Sequence, residues 1–224
     1  MLSRDGNKFI YIAIDGVIRV TNTTLARMLH PILGDKVLVE VCEENPLSSD
    51  LYVDRTCYAF QMQLCVLLRL CYQHRWTLPY APANVSRITD YPFGRGPVSA
   101  RVKLSAGELA TYEQINDTMG ERISQPDLVV YIRSCSGRLV QRIATRDHTH
   151  SRGIDRDSMC SLRCACDRQL LTPAQDQTTI TLDTIDLNFV ARRHDFSLIV
   201  DLIGATLICI VQTTLLMVVD ESRR

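Results

Sequence analysis

A strand, a turn and a helix succeed one another within the first 33 residues, and this order limits the fold more than any later feature. Residues 8–15, KFIYIAID, alternate and are rich in Ile and Tyr. Gly16 then supplies a turn, and residues 23–33, TTLARMLHPIL, change to a helical apolar period. A second apolar run, KVLVEV at 36–41, follows within a few residues. Parallel strands need a crossover of about a dozen residues, usually a helix, and this spacing provides one.

The alternation continues along the chain. Residues 55–76 have helical length with apolar residues on most faces, which predicts a largely buried helix. RITDY at 87–91 is a weak strand, and 106–120 an amphipathic helix with Ser105 as N-cap and Gly120 just past its end. PDLVVYIR at 126–133 is the strongest strand, starting on a proline where a ladder donor is dispensable. A helix over about 137–145, an exposed loop TRDHTHSRGID, a helix over 155–171, a strand TTITLD at 178–183 and a helix over 194–204 complete the pattern. The expected fold class is α/β, three layers, with a mainly parallel sheet flanked by helices.

Residues 202–219 contain no charge, which reaches the lower length limit of a membrane-spanning helix. Thr206, Gln212, Thr213 and Thr214 dilute that run and Asp201 adjoins it. β-Branched residues are dense in it, so a helix followed by a buried strand is the favoured expectation, and a membrane span the disfavoured one.

Twenty-five basic residues balance 25 acidic ones, so no global field draws the chain to nucleic acid or to an anionic membrane, and phosphate binding has to be local. The nine cysteines are scattered, and the opening residues MLSRDGNKFIYIAID read as a strand and not as a secretory signal. Reduced thiols in a cytoplasmic protein are expected. Cys160, Cys164 and Cys166 lack the paired knuckles of a zinc site and read as small helix residues.

Five segments carry the chemistry. In IDGVIRVTNTTLA, residues 14–26, a strand end meets Gly16, Thr23 and Thr24, although the residues alone also fit a plain strand-to-helix turn. VLVEVCEENPL, residues 37–47, places Glu40 at a strand end, with Glu43 and Glu44 in a solvated loop. DLYVDRTCYAFQMQL, residues 50–64, carries Tyr52 and Gln61, and RITDYPFGRGPVSARVKLS, residues 87–105, carries Asp90 and Arg95. QRIATRDHTHSRGID, residues 141–155, gathers Arg142, Arg146 and Arg152.

In this order and spacing, ENP, YAFQ, DY-x-F, QPDLVVYIR and R-I-x-x-R resemble the bacterial deoxyribonucleoside kinase family, deoxyguanosine and deoxyadenosine kinases among them, over roughly residues 8–200. The resemblance implies a P-loop nucleotide-kinase fold over 1–205, a lid at about 141–155 and an apolar tail at 206–224. It also implies phosphoryl transfer from ATP, with Mg2+, to the 5′-hydroxyl of a deoxynucleoside in nucleotide salvage. By position Glu40 is the general base, Asp90 a carboxylate near magnesium and sugar, and Arg142 and Arg146 the lid cations over the transferring phosphate. Gly16, Asn22, Thr23, Thr24 and Arg152 line the ATP side, with the Thr23 hydroxyl on the metal. Tyr52, Gln61 and Arg95 face the substrate; the amide of Gln61 offers both a donor and an acceptor to a base edge. For Arg95, a surface arginine in a loop is the alternative. The run TLDTIDLNF at 181–189 sits where the family holds adenine, mainly by backbone.

The loop departs from the family where the phosphates would lie. Arg19 and Thr21 replace glycines, Asn22 replaces the lysine, His148 replaces a lid arginine, and Asp147 and Ser151 replace a glycine and a glutamate. Loss of the lysine removes a full charge from the transferring phosphate, and side chains at glycine positions hinder left-handed torsions and close approach. Weak turnover is therefore expected. The alternative is a catalytically inactive, kinase-like protein that binds a nucleoside or a partner. A homodimer, or a heterodimer with a related chain, is what the resemblance implies.

Overall fold

The computed structural model describes residues 10–16, 19–33, 37–40, 58–73, 86–121, 123–133, 156–171, 177–185 and 187–221. Five strands, β1 (Tyr11–Gly16), β2 (Val37–Glu40), β3 (Ser86–Thr89), β4 (Leu128–Arg133) and β5 (Thr178–Asp183), form one sheet in the order β2-β3-β1-β4-β5. Every pairing is parallel. The helices are α1 (Arg19–Leu33), α2 (Ala59–Tyr72), α3 (Arg95–Lys103), α4 (Ala106–Gly120), α5 (Arg156–Leu171) and α6 (Arg193–Glu221).

Side-chain parity along the central strands sorts the layers. Ile12 and Ile14 of β1, with Leu128, Val130 and Ile132 of β4, face a core closed by Leu25 and Leu29 of α1 and Ile199 and Ile203 of α6. The opposite parity, Tyr131 on β4, faces Val98 of α3 and Leu162 and Cys166 of α5, while Tyr11, Ala13 and Val129 meet Leu170 of α5. Both faces of β1 and β4 are thus covered, which is why YIAI and LVVYI read as nearly continuous apolar runs. Edge strand β5 alternates between exposed and buried residues, as a half-covered strand does. A satellite cluster joins Leu67, Leu70 and Cys71 of α2 to Phe93, Ala100 and Tyr112 around α3 and α4.

The three-layer parallel architecture matches the sequence expectation, and several elements differ in detail. Helix α1 begins at Arg19, four residues earlier than its apolar period suggested. With no glycine between 17 and 33, nothing in the sequence demands the left-handed torsions of a glycine-rich loop, and the helix extends back toward the strand. Helix α2 buries a single stripe, Gln63, Leu67, Leu70 and Cys71, while Leu68 and Tyr72 are exposed, so it is not the largely buried helix its composition suggested.

Helix α3 lies where the sequence reading placed a loop, in a segment that contains Gly96 and Pro97. Both fall in its first turn, where the missing proline N–H has no intrahelical partner to lose. An added Cβ at Gly96 would lie 2.5 Å from the Tyr112 hydroxyl, so this glycine permits the close approach of α3 and α4. In α4, Ser105 donates its backbone N–H (3.0 Å) and its hydroxyl (2.7 Å) to the Glu108 carboxylate, and the helix includes Gly120 as its last residue.

The C-terminal expectation is corrected outright. No strand follows residue 204; α6 runs unbroken for 29 residues. Ile199 and Ile203 lie in the core, and Leu207 and Ile210 pack partly against it, at helical and not alternating spacing. Leu198, Leu202 and Ile208 of the same helix are exposed. Arg193–Thr213 is long and apolar enough to cross a membrane by length and composition alone. The expected helix over 137–145 and the loop after it fall outside the described residues.

Candidate functional site

The strand order reverses at β1: the chain leaves it toward β2 and β3 on one side and later returns to β4 on the other. In open parallel sheets the crevice at the carboxyl ends of such strands is the usual ligand site. Here it is bounded by Asp15 and Gly16 at the end of β1, by Asp90 just past β3, and by the first turns of α1.

Two consecutive residues in the first turns of α1, Asn22 and Thr23, reach into this corner. Asn22, 1% exposed, donates through Nδ2 to the Asp90 carbonyl at 3.3 Å. Its Oδ1 is buried and has no hydrogen-bond partner among the described residues, and a Cβ at Gly16 would come within 2.6 Å of it. Only glycine fits beside this amide. Thr23 donates its hydroxyl to the Asp90 carboxylate, and Thr21 is also buried. Thr24, on the following position, is half-buried.

Asp90, with 0% exposure, is therefore the hub of the corner, gripped from α1 at both its backbone and its side chain. Register places the backbone of Glu40 directly beside Thr89, one residue before Asp90. Adjacent strands lie about 4.8 Å apart, so the two carboxylate-bearing strand ends share one rim.

Arg95 occupies neither a loop nor the surface. It begins α3, is 5% exposed, and forms an ion pair with Asp15. Parity explains the meeting: Asp15 follows Tyr11 and Ala13 on the face of β1 that turns away from α1, toward the layer of α3 and α5. Asp15 Oδ1 also accepts the Gly16 N–H at 2.7 Å. Burial works against the charge of Arg95, but Asp15, with Cys166 and Tyr91, overrides it and holds the guanidinium protonated above its ordinary range.

From the other side α5 fastens this arrangement. Gln169 donates to the Gly94 carbonyl at 3.3 Å, immediately before Arg95, and Asp167 accepts the Tyr131 hydroxyl at 2.8 Å. Beyond β5, the turn is tied down by the Thr184 N–H and hydroxyl on the Arg133 carbonyl, at 2.8 and 3.0 Å. Asp195 caps it by accepting the Asn188 N–H at 2.6 Å.

Of the residues singled out in the sequence, Gly16, Asn22, Thr23 and Asp90 come together at this corner, with Arg95 joined to it through Asp15, the Glu40 backbone beside it and Thr24 on the next position of α1. Gln61 lies apart on the first turn of α2, exposed. Gln63, two residues on, is the buried amide of that helix and donates to the Ser99 hydroxyl of α3 at 3.4 Å. Tyr52, Arg142, Arg146, Arg152 and His148 fall outside the described residues. Asp15 was missed as a site residue; its signal was an acidic residue closing an otherwise apolar strand.

Chemically, Thr23 and Asp90 present adjoining hard oxygens, which suit a magnesium ion. The position beside them suits phosphate poorly. Where a lysine would carry positive charge, Asn22 turns an unpartnered acceptor oxygen toward Gly16.

The sequence profile of the family described as deoxynucleoside kinase matches residues 12–209. The deoxyguanosine kinase of Bacillus subtilis (strain 168) is 25% identical over 193 residues, 83% of this chain and 92% of that protein. The deoxyadenosine kinase of Dictyostelium discoideum is 27% identical over 142 residues, 61% of this chain and 57% of that protein. In fold, the chain is similar to the M. mycoides deoxyadenosine kinase with bound dATP, at a TM-score of 0.72 and 21% identity over 87% of this chain and all (100%) of that one. The five-stranded parallel sheet flanked by helices is thus the P-loop kinase fold, and the chain belongs to the deoxynucleoside kinase family.

Proposed function

We propose that the protein transfers the γ-phosphoryl group of ATP to the 5′-hydroxyl of a deoxyribonucleoside, slowly, because its phosphate corner is built for neutrality where the reaction needs charge. The observation that carries this reading is the buried Asn22 amide, held on the Asp90 carbonyl with its own oxygen unpartnered. The relatives named above are kinases of deoxyguanosine and deoxyadenosine, which supports a deoxynucleoside as substrate.

In this reading the Glu40 carboxylate accepts the proton of the 5′-hydroxyl and aligns the oxygen for attack. Thr23 and Asp90 hold Mg2+, which when bound neutralises charge on the phosphate oxygens. Tyr52 and Gln61 orient the sugar and base. Arg142 and Arg146, with Arg152, close over the phosphates, a role that planar cations fill well. A residue that stabilises only spreading charge raises kcat more than it lowers KM, so the loss of the loop lysine falls mainly on turnover. The protein works in the cytoplasm, as a homodimer or beside a related chain.

Glu40→Gln tests the base. Product formation from labelled ATP and each deoxynucleoside should fall by about a hundredfold or more, with nucleoside affinity nearly unchanged. Undiminished turnover in Glu40→Gln would remove Glu40 from the role.

A further inference from the structure

Asp15 Oδ1 accepts two donors at once, the Gly16 backbone N–H at 2.7 Å and the Arg95 guanidinium. The first is the amide at which the chain turns from β1 toward α1; the second arrives from 80 residues further along, on a different layer. Asp15 and Arg95 are 3% and 5% exposed, so neither has water to replace the other. A buried carboxylate with a free choice of rotamer could leave Gly16 and turn aside. One pinned by a bidentate-capable cation cannot.

The surroundings of Arg95 are themselves fixed. Its backbone N–H reaches the Pro92 carbonyl at 3.1 Å, and Gln169 of α5 holds Gly94. Gly16 in turn has no freedom to accept a side chain, since the Asn22 oxygen and the Ile132 carbonyl crowd its Cα. The Gly16 amide is thereby oriented by a chain of contacts that begins on α3.

We propose that Arg95 is a positioning residue for the phosphate corner: it holds the Asp15 carboxylate on the Gly16 N–H and so fixes the orientation of the Gly16 amide at the end of β1. This rests on the kinase reading above. Arg95 touches no phosphate; it acts through Asp15. Its loss alters the binding of the triphosphate more than that of the nucleoside, because Asp15 and Gly16 end β1, whereas Gln61 stands on α2, which meets α3 a turn further along, through Gln63 and Ser99.

The experiment compares Mg·ATP and deoxynucleoside binding, each by NMR titration, in the full chain, in Arg95→Lys, and in the double variant Asp15→Val with Arg95→Met. The double variant replaces both charges with apolar groups, so no charge is left buried and unpaired and the fold is kept. Positioning predicts a loss of ATP affinity of about tenfold or more in the double variant, since small misplacements at a reacting site are costly. Deoxynucleoside affinity stays within about twofold of wild type, as expected of a site sharing none of these partners. Arg95→Lys, which keeps the charge but not the planar fork, falls between the two. Equal losses for both ligands, or no loss for either, overturn the proposal. If the double variant does not fold, Arg95→Lys decides by the same comparison. A wild-type chain that binds deoxynucleoside but no ATP overturns the kinase reading and this inference with it, whereas unchanged ATP binding in the variants overturns this inference alone.

Discussion

At position 22 an uncharged amide does structural work: it ties α1 to the end of β3 and fills the space beside Gly16. A lysine there would lose the Asp90 carbonyl contact and gain reach toward a phosphate. A second buried group, Cys166, illustrates the other side of the sheet. Burial, foremost, with Asp15 and Asp167 reinforcing it, outweighs the pull of Arg95 and pushes its thiol up to about 11. The folded chain thus holds the proton more tightly than the unfolded one, whose thiol ionises near 9.0. This stabilisation is complete below the unfolded value and is lost as pH rises through the folded one. Alkylation at pH 8 should therefore label the exposed Cys164 and Cys209 readily and spare Cys166 until denaturant is added, which peptide mass mapping would show; early labelling of Cys166 would mean that the α5 face opens. At this scale, Thr23 and Asp90 were legible because the motif spacing carries them. The Asp15–Arg95 pair was not, since nothing local links positions separated by 80 residues.

Strand elements were legible where both faces are buried, as in LVVYIR, because a run of five apolar or aromatic positions admits few alternatives. Helix ends were read less well. The first turn of α1 and all of α3 carry glycine, proline or polar residues that discourage a helix locally, yet tertiary packing of Val98, Ala100 and Leu25 overrides that preference. The tail was misread because dense β-branching was given more weight than the i, i+4 spacing of Ile199, Ile203 and Leu207. Helical spacing makes a sharp contrast between neighbours. Ile203→Ala, from a side chain 1% exposed in the core, should cost about 2–4 kcal/mol in urea unfolding. Leu202→Ala, 44% exposed one residue earlier, should cost far less, within about 0.5 kcal/mol. Equal costs would show that α6 does not present the face described.

For the whole molecule, the family's fold is present, and in the reading proposed here its phosphate end lacks the charge that the reaction needs. Gly16, Thr23 and Asp90 are assembled at one corner, with the end of β2 on the same rim. An intact frame around an altered loop means that activity should be recoverable by changing the loop alone. The most direct measurement is 5′-monophosphate formation from labelled ATP, magnesium and each deoxynucleoside, in the wild-type chain and in the triple variant Arg19→Gly, Thr21→Gly, Asn22→Lys. The account predicts low turnover in the first and a rise of about a hundredfold in the second, the size expected when a preorganised charge is returned to a site. Ordinary kinase rates in the wild type, or no rise in a folded triple variant, would contradict it.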